Sequence, residues 1–307
     1  MTMIRPADNL APVAYDVTAT AQPVPGAPRL TAAQGELLRE IAVLDEYGAT
    51  RQIHIPAERP LTVFVDKREL VTLMTLGACP ELLVLGYLCN QRLVAAVSDI
   101  ESITVDWDVA AAAVKTRRGI ADLAERTQKR VVTTGCGQGT VYGDMVADID
   151  ALRLPGPQHA RIRQGTLHAL LEQMRQRNSI HRKAGSVHGC ALFQGSQMLM
   201  FVEDVGRHNA IDTIAGWMAM HGVVGGDKTF YTTGRLTSEM VMKAARMGVP
   251  IIVSRNGVTA MGHEMASRLG MTLFGRAANR HFLCYSGFER FDSEPEPQRP
   301  PVRVVAG

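Results

Sequence analysis

The sequence predicts an α/β protein in which helices pack on the faces of a β-sheet. Three observations carry that expectation. Beyond residue 188, short β-branched or aromatic runs alternate with segments of helical spacing. Each of those helical segments stops at a glycine, at Gly222, Gly248 and Gly270. Polar and cationic residues gather on the loops that follow the strand runs, where ligands of α/β sheets bind.

Taken in chain order, residues 1–38 read as a flexible tail rich in Ala, Pro and Thr, without the charged start and apolar core of a secretory signal. Leu61–Val65 is a strand and Glu81–Leu88 an apolar helix opened by Pro80. Ile103–Trp107 alternates like a strand. The alanine-rich stretch Asp108–Arg118, with Lys115, Arg117 and Arg118 at its end, suits a helix, and a strand with one exposed face remains open. Asp148–His159, with Pro155 and Pro157, reads as a linker.

Leu167, Leu170, Leu171 and Met174 follow helical spacing. Gln194-Gly195-Ser196 joins strand runs His188–Phe193 and Met198–Val202 as a hairpin. A helix through Ile211, Ile214 and Met218 follows, then strand Phe230–Thr232 and helix Glu239–Met247. Strand Val249–Ser254, helix Thr259–Leu269 and strand Met271–Phe274 complete the alternation. Residues 293–307 read as a disordered end.

The 307 residues, 46% hydrophobic and 21% charged, are ordinary for a globular chain with an ample core. A net charge of +3 gives no case for nucleic-acid binding, and no apolar run approaches the roughly 20 residues that cross a bilayer. Five scattered cysteines suit a reducing cytoplasm better than a disulfide framework.

Cys136 stands apart, between glycines in Thr134-Gly135-Cys136-Gly137 directly after a β-branched run. Glycine neighbours leave a thiol unhindered on a tight turn, which suits a nucleophile or sulfur carrier. Cys79, Cys89, Cys190 and Cys284 lie in or beside apolar runs, where packing is the default. Glu203-Asp204-Val205-Gly206-Arg207-His208-Asn209 is the densest polar cluster; it reads equally as an acid/base or anion-binding loop and as a solvated turn. Arg182-Lys183, Gly234-Arg235 and the group Arg276, Asn279, Arg280 and His281 after the last strand could converge on phosphates. His188 and Cys190 form an H-x-C, not the H-x-E and C-x-x-C of zinc deaminases, so zinc is not expected. Dinucleotide-fold and P-loop fingerprints are absent.

These motifs, with Gly185-Ser186-Val187-His188, Glu239-Met240-Val241, Lys243-Ala244-Ala245 and Tyr285-Ser286-Gly287, resemble those of the formate dehydrogenase accessory sulfurtransferases, the FdhD/NarQ family, from about Tyr47 to about Phe291. The resemblance implies a cytidine deaminase-like three-layer core at residues 151–292 and a smaller N-terminal α+β subdomain, residues 39–150, ending in the Cys136 loop. It implies a cytoplasmic homodimer that takes persulfide sulfur from a cysteine desulfurase onto Cys136. The sulfur would pass to a molybdenum or tungsten bis-guanine-dinucleotide pterin cofactor destined for formate dehydrogenase. Arg276, Ala277, Ala278, Asn279, Arg280 and His281 would contact the nucleotide part. Residue type and loop position, rather than the resemblance, put Arg207 on a phosphate and make His208 a candidate proton donor. Many members carry a second cysteine three positions after the first; here that position is Gly139. The alternative is a non-catalytic chaperone for the same cofactor.

Overall fold

The computed structural model describes residues 14–19, 21–120 and 151–294. Along the chain come β1 (Tyr15–Val17), β2 (Arg29–Leu30), β3 (Leu38–Leu44), β4 (Thr50–Pro56), β5 (Arg59–Val65), β6 (Arg68–Thr75), α1 (Pro80–Asn90), β7 (Ile100–Asp106) and β8 (Ala111–Thr116). The second stretch holds β9 (Ile162–Arg163), α2 (Gln164–Gln176), α3 (Ile180–Ala184), β10 (His188–Gln194), β11 (Gln197–Asp204) and α4 (Arg207–His221). It continues with β12 (Lys228–Thr232), α5 (Ser238–Arg246), β13 (Ile251–Ser254), α6 (Ala260–Arg268), β14 (Thr272–Ala278), β15 (His281–Ser286) and β16 (Phe291–Asp292).

The main sheet has seven strands in the order β1-β11-β10-β12-β13-β14-β15. Its centre, β12-β13-β14, is parallel, joined by α5 and α6, while β10, β11 and β15 pair antiparallel at the flanks. Side chains alternate across the sheet, as a period of two demands. Cys190, Leu192, Phe230, Ile252 and Leu273 meet Ile211, Ile214 and Trp217 of α4, Met240 and Val241 of α5 and Met265 of α6. On the opposite face Ala191, Phe193, Tyr231, Val253 and Phe274 meet Leu167, Leu170 and Leu171 of α2.

A second sheet, ordered β2-β7-β8-β5-β6, covers α1. That helix is buried around most of its circumference, because one side faces this sheet and the other faces α4. Where the two helices cross, a Cβ on Gly86 would overlap the carbonyl oxygen of Asp212, and one on Gly216 would overlap that of Leu82. Main chain thus rests on main chain, a contact that only glycine permits at both positions.

Several sequence expectations change. The stretch Asp108–Arg118 is not a helix: Ala112, Val114 and Thr116 point inward while Ala113 and Lys115 point outward, so a period of two wins over alanine's helix propensity. Parts of the expected tail join sheets, β1 along β11 and β2 along β7. The group at Arg276–His281 does not follow the last strand. Arg276, Ala277 and Ala278 end β14, Asn279-Arg280 is the turn, and His281 opens β15. The five-residue α3, capped by the Ser179 side chain, was not foreseen either.

Candidate functional site

The chemistry-bearing loops meet where β11 and β12 end and β10 begins. Glu203 and Asp204 close β11, Gly206 is the N-cap of α4, and Arg207, His208 and Asn209 fill its first turn. None of this is a solvated turn: Glu203, Asp204, Arg207, His208 and Asn209 are all buried.

The two carboxylates act as braces. Glu203 Oε2 accepts a hydrogen bond from the Ile180 N–H at 2.7 Å and Oε1 one from His181 N–H at 3.2 Å, which fixes the first turn of α3. Asp204 Oδ2 accepts from the Thr75 hydroxyl at 2.5 Å and Leu76 N–H at 3.1 Å; its Oδ1 accepts from Gly206 N–H and Asn209 Nδ2. Asn209 Nδ2 also donates to the Met74 carbonyl at 2.7 Å. One loop thereby ties β11 and α4 to the end of β6 in the other sheet. Burial pushes Glu203 up to about 7 and Asp204 up to about 6, with the hydrogen bonds opposing it.

Behind His208 runs a buried charged chain. Its Nε2 lies 3.4 Å from Glu239 Oε2; Lys243 Nζ lies 3.7 Å from Glu239 and 2.7 Å from Asp212 Oδ2. Asn90 of α1 donates to Asp212 Oδ1 at 2.7 Å, and Arg246 donates to the Asn90 carbonyl. Burial, with Lys243 and Arg207 nearby, pushes the His208 imidazole down to about 2. That burial favours the neutral ring, which donates a proton through a single N–H. His188, 3.5 Å from the Thr233 hydroxyl, is also pushed down by burial and by Arg207, His181 and Arg235.

On the α2 face of the sheet a cavity of about 350 Å³ opens between α2, α3 and the β14–β15 turn. Arg175, Arg177, Arg182, His181 and Arg255 line it, with Ser179, Tyr231, Ala277, Ala278 and Asn279, and no carboxylate does so among the described residues. Arg175 and Arg177 are paired with Glu172 and Asp16. Three of the six residues expected to hold nucleotide, Ala277, Ala278 and Asn279, thus line the cavity. Arg276, Arg280 and His281 are exposed and are not among its lining residues. Sequence reasoning missed Arg255 and Tyr231, whose only signal was a place at or just after a strand end.

Cys136 lies outside the described residues. The other four cysteines are free thiols, and burial pushes each of them up: Cys89 and Cys284 to about 11, Cys190 to about 12, and Cys79 higher. Cys190 donates to the Thr232 hydroxyl at 3.3 Å inside the core. No group of three residues able to hold a metal ion occurs among the described residues.

The fold and site define an α/β protein with a carboxylate-braced loop at one end of its main sheet and a cation-lined cavity on the α2 face. The chain belongs to the FdhD/NarQ family, whose model matches residues 56–292. It is 30% identical over 247 residues to a protein of Listeria innocua named sulfur carrier protein FdhD, an overlap of 80% of this chain and 95% of that one. It is 31% identical over 234 residues to the protein of the same name from Bacillus subtilis, covering 76% and 88% of the two chains. A solved structure from Desulfotalea psychrophila, assigned as a formate dehydrogenase accessory protein, shares the fold with a TM-score of 0.67 at 23% identity, covering 83% of this chain and 98% of that one.

Proposed function

We propose that this chain carries sulfur as a persulfide on Cys136 and delivers it to a molybdenum bis-guanine-dinucleotide pterin cofactor needed by formate dehydrogenase. The cofactor is substrate here, not a resident group. In the loading step the Cys136 thiolate attacks the outer sulfur of a persulfide on a cysteine desulfurase. A new S–S bond forms on Cys136, the donor's S–S bond breaks, and the donor cysteine leaves as thiolate. One thiol completes this exchange, so Gly139 in place of a second cysteine does not prevent it. The reading includes a cytidine deaminase-like core, a cytoplasmic setting and a homodimer.

One observation carries the proposal beyond family membership: the cavity beside Ala277–Asn279 is walled by arginines and a histidine, with no acidic residue among the described residues that line it. Such a wall suits a dinucleotide's phosphates. The high thiol pKa values of the four described cysteines support Cys136 as the carrier, since the thiolate is the nucleophile.

The test is intact-protein mass after incubation with a cysteine desulfurase and cysteine. Wild type gains about 32 Da per sulfur, removed by a reductant, and Cys136→Ala gains none. In parallel, Arg255→Ala weakens GDP binding. No gain in the wild type, with GDP still bound, would replace the carrier with a cofactor chaperone.

A further inference from the structure

A second cavity, of about 740 Å³, lies where the two cores meet, and the function proposed above does not use it. Leu93 and Val94 belong to the core of the second sheet and line it, and Ile120 packs against the same core. Leu152, packed on the core under α4 and α5, supplies apolar lining from the other side. Small-molecule sites have volumes in this range and gather at junctions of this kind.

Three arginines from separate elements share the lining. Arg92 follows α1, Arg118 follows β8 and Arg246 closes α5. Arg92 stands just past its helix with a φ of +55°, a conformation that glycine adopts without strain. Its N–H and that of Leu93 return to the carbonyls of Cys89 and Leu88, which holds the turn. Arg246 is anchored on the Asn90 carbonyl and also acts on Asp212. Arg118 is exposed and makes no ion pair with a carboxylate among the described residues. The loop that carries it is pinned: the Thr116 hydroxyl donates to Asp66 at 2.5 Å and accepts from Gly119 N–H at 2.8 Å.

Among the described lining residues one carboxylate, Asp99, stands against these cations. Its Oδ2 accepts from the Ala95 and Ala96 N–H groups at 3.2 and 2.9 Å, so it is tied to the turn before β7. Burial, with Asp212 adding, pushes the lining thiol Cys89 up to about 11, so it brings no charge at neutral pH. Positive charge is therefore in surplus beside apolar walls, and low-dielectric walls focus such a field.

We propose that this cavity binds a small anion carrying an apolar body, its charged end on Arg92, Arg118 and Arg246 and its body against Leu93, Val94, Ile120 and Leu152. The planar fork of arginine suits a carboxylate, sulfonate or phosphate end, which share a delocalised oxyanion. No described residue lines both this cavity and that of Arg255 and Asn279. The assignment thus stands without the nucleotide and persulfide readings.

Titration of the full chain with anilinonaphthalene sulfonate, a fluorescent anion with an apolar body, tests the site. Wild type should bind one dye per chain with a Kd on the order of 10 μM. The dye should also raise Tm, as a ligand of the folded state must. Arg118→Gln removes an exposed cation and should weaken binding roughly fivefold or more at unchanged Tm in the absence of dye. Ala95→Trp, at an exposed lining position, fills the cavity without changing its charge and should abolish binding. Arg255→Ala should leave it intact. Decanoate should displace the dye, whereas decanol, which lacks the charge, and inorganic phosphate, which lacks the body, should not.

Equal dye binding in wild type, Arg118→Gln and Ala95→Trp overturns the site, as does no saturable binding up to about 1 mM. Displacement by decanol or by phosphate as readily as by decanoate overturns the ligand class. Loss of binding in Arg255→Ala with Arg118→Gln unaffected would put the dye in the other cavity and overturn the proposal as well.

Discussion

Lys243 and Asp212 form a 2.7 Å ion pair between α5 and α4 in which neither side chain is more than 2% exposed. Asn90 of α1 donates to the second oxygen of Asp212, so three helices converge on one carboxylate. Burial pushes Asp212 up, and Lys243 is the first of the opposing causes.

Removing one partner should therefore cost far more than removing both. Lys243→Met strands a buried carboxylate and is expected to lose about 3–5 kcal/mol of stability by urea unfolding. Adding Asp212→Asn to it should recover more than half of that loss. A Lys243→Met protein within about 0.5 kcal/mol of wild type would show that the pair is not what holds the helices.

The α1–α4 crossing predicts a second sharp effect. Gly86→Ala and Gly216→Ala each place a methyl group on a backbone carbonyl that no side-chain rotation relieves. Each should lower stability by about 2 kcal/mol or more, read as a fall in Tm. Gly195→Ala, at a hairpin tip with open space around it, meets no atom and bears only the strain of its φ of +56°. It should cost less.

Stability should depend on pH through opposing contributions. Glu203 binds its proton more tightly folded, at about 7 against an ordinary 4.5, and Asp204 does so at about 6 against 3.8. Their contribution is full at low pH and is lost as pH rises through those folded values. His208, at about 2 folded against an ordinary 6.5, contributes the reverse, full above about 6.5 and lost as pH falls. Between about pH 5 and 7, Glu203→Gln should gain on wild type as pH rises, and His208→Gln should lose on it. Each difference should be on the order of 1–2 kcal/mol in urea midpoints across that interval. Parallel curves for all three proteins would refute the assignment.

Thiol reactivity gives a fourth check. With Cys79, Cys89, Cys190 and Cys284 all pushed well above neutrality, at most one thiol should react quickly with an aromatic disulfide reagent at pH 7. Cys89→Ala and Cys284→Ala should both keep sulfur loading. Failure of loading in either would make that thiol part of the transfer route.

The second half of the fold was readable because its signals are local. Gly222, Gly248 and Gly270 each take a positive φ just beyond a helix, as their places in the sequence implied. The strands with apolar runs, β10 to β14, were found for the same reason. What failed depended on partners far along the chain. β1 and β2 are three and two residues long and exist only because β11 and β7 offer them an edge. In β8, a run of alanines carries little pattern of its own, and only the neighbouring strands decide it. The site divided in the same way. Arg207, His208 and Asn279 were picked out by residue type, whereas Ala277 and Ala278 came only with the family resemblance. The bracing by Glu203 and Asp204 required knowing that Ile180 and Thr75 come to meet them. The Lys243–Asp212 pair spans 31 residues and two helices, and no motif announces it.

The glycine crossing of α1 and α4 also bears on how this protein tolerates change over generations. Spacing between most packed helices is set by side chains, and it drifts as those side chains are exchanged. Here the separation is gauged by peptide backbone on both sides, so substitutions in either core leave it untouched. Lineages can rewrite the cores on each side of the crossing while the braced loop at Asp204 keeps its alignment with Thr75.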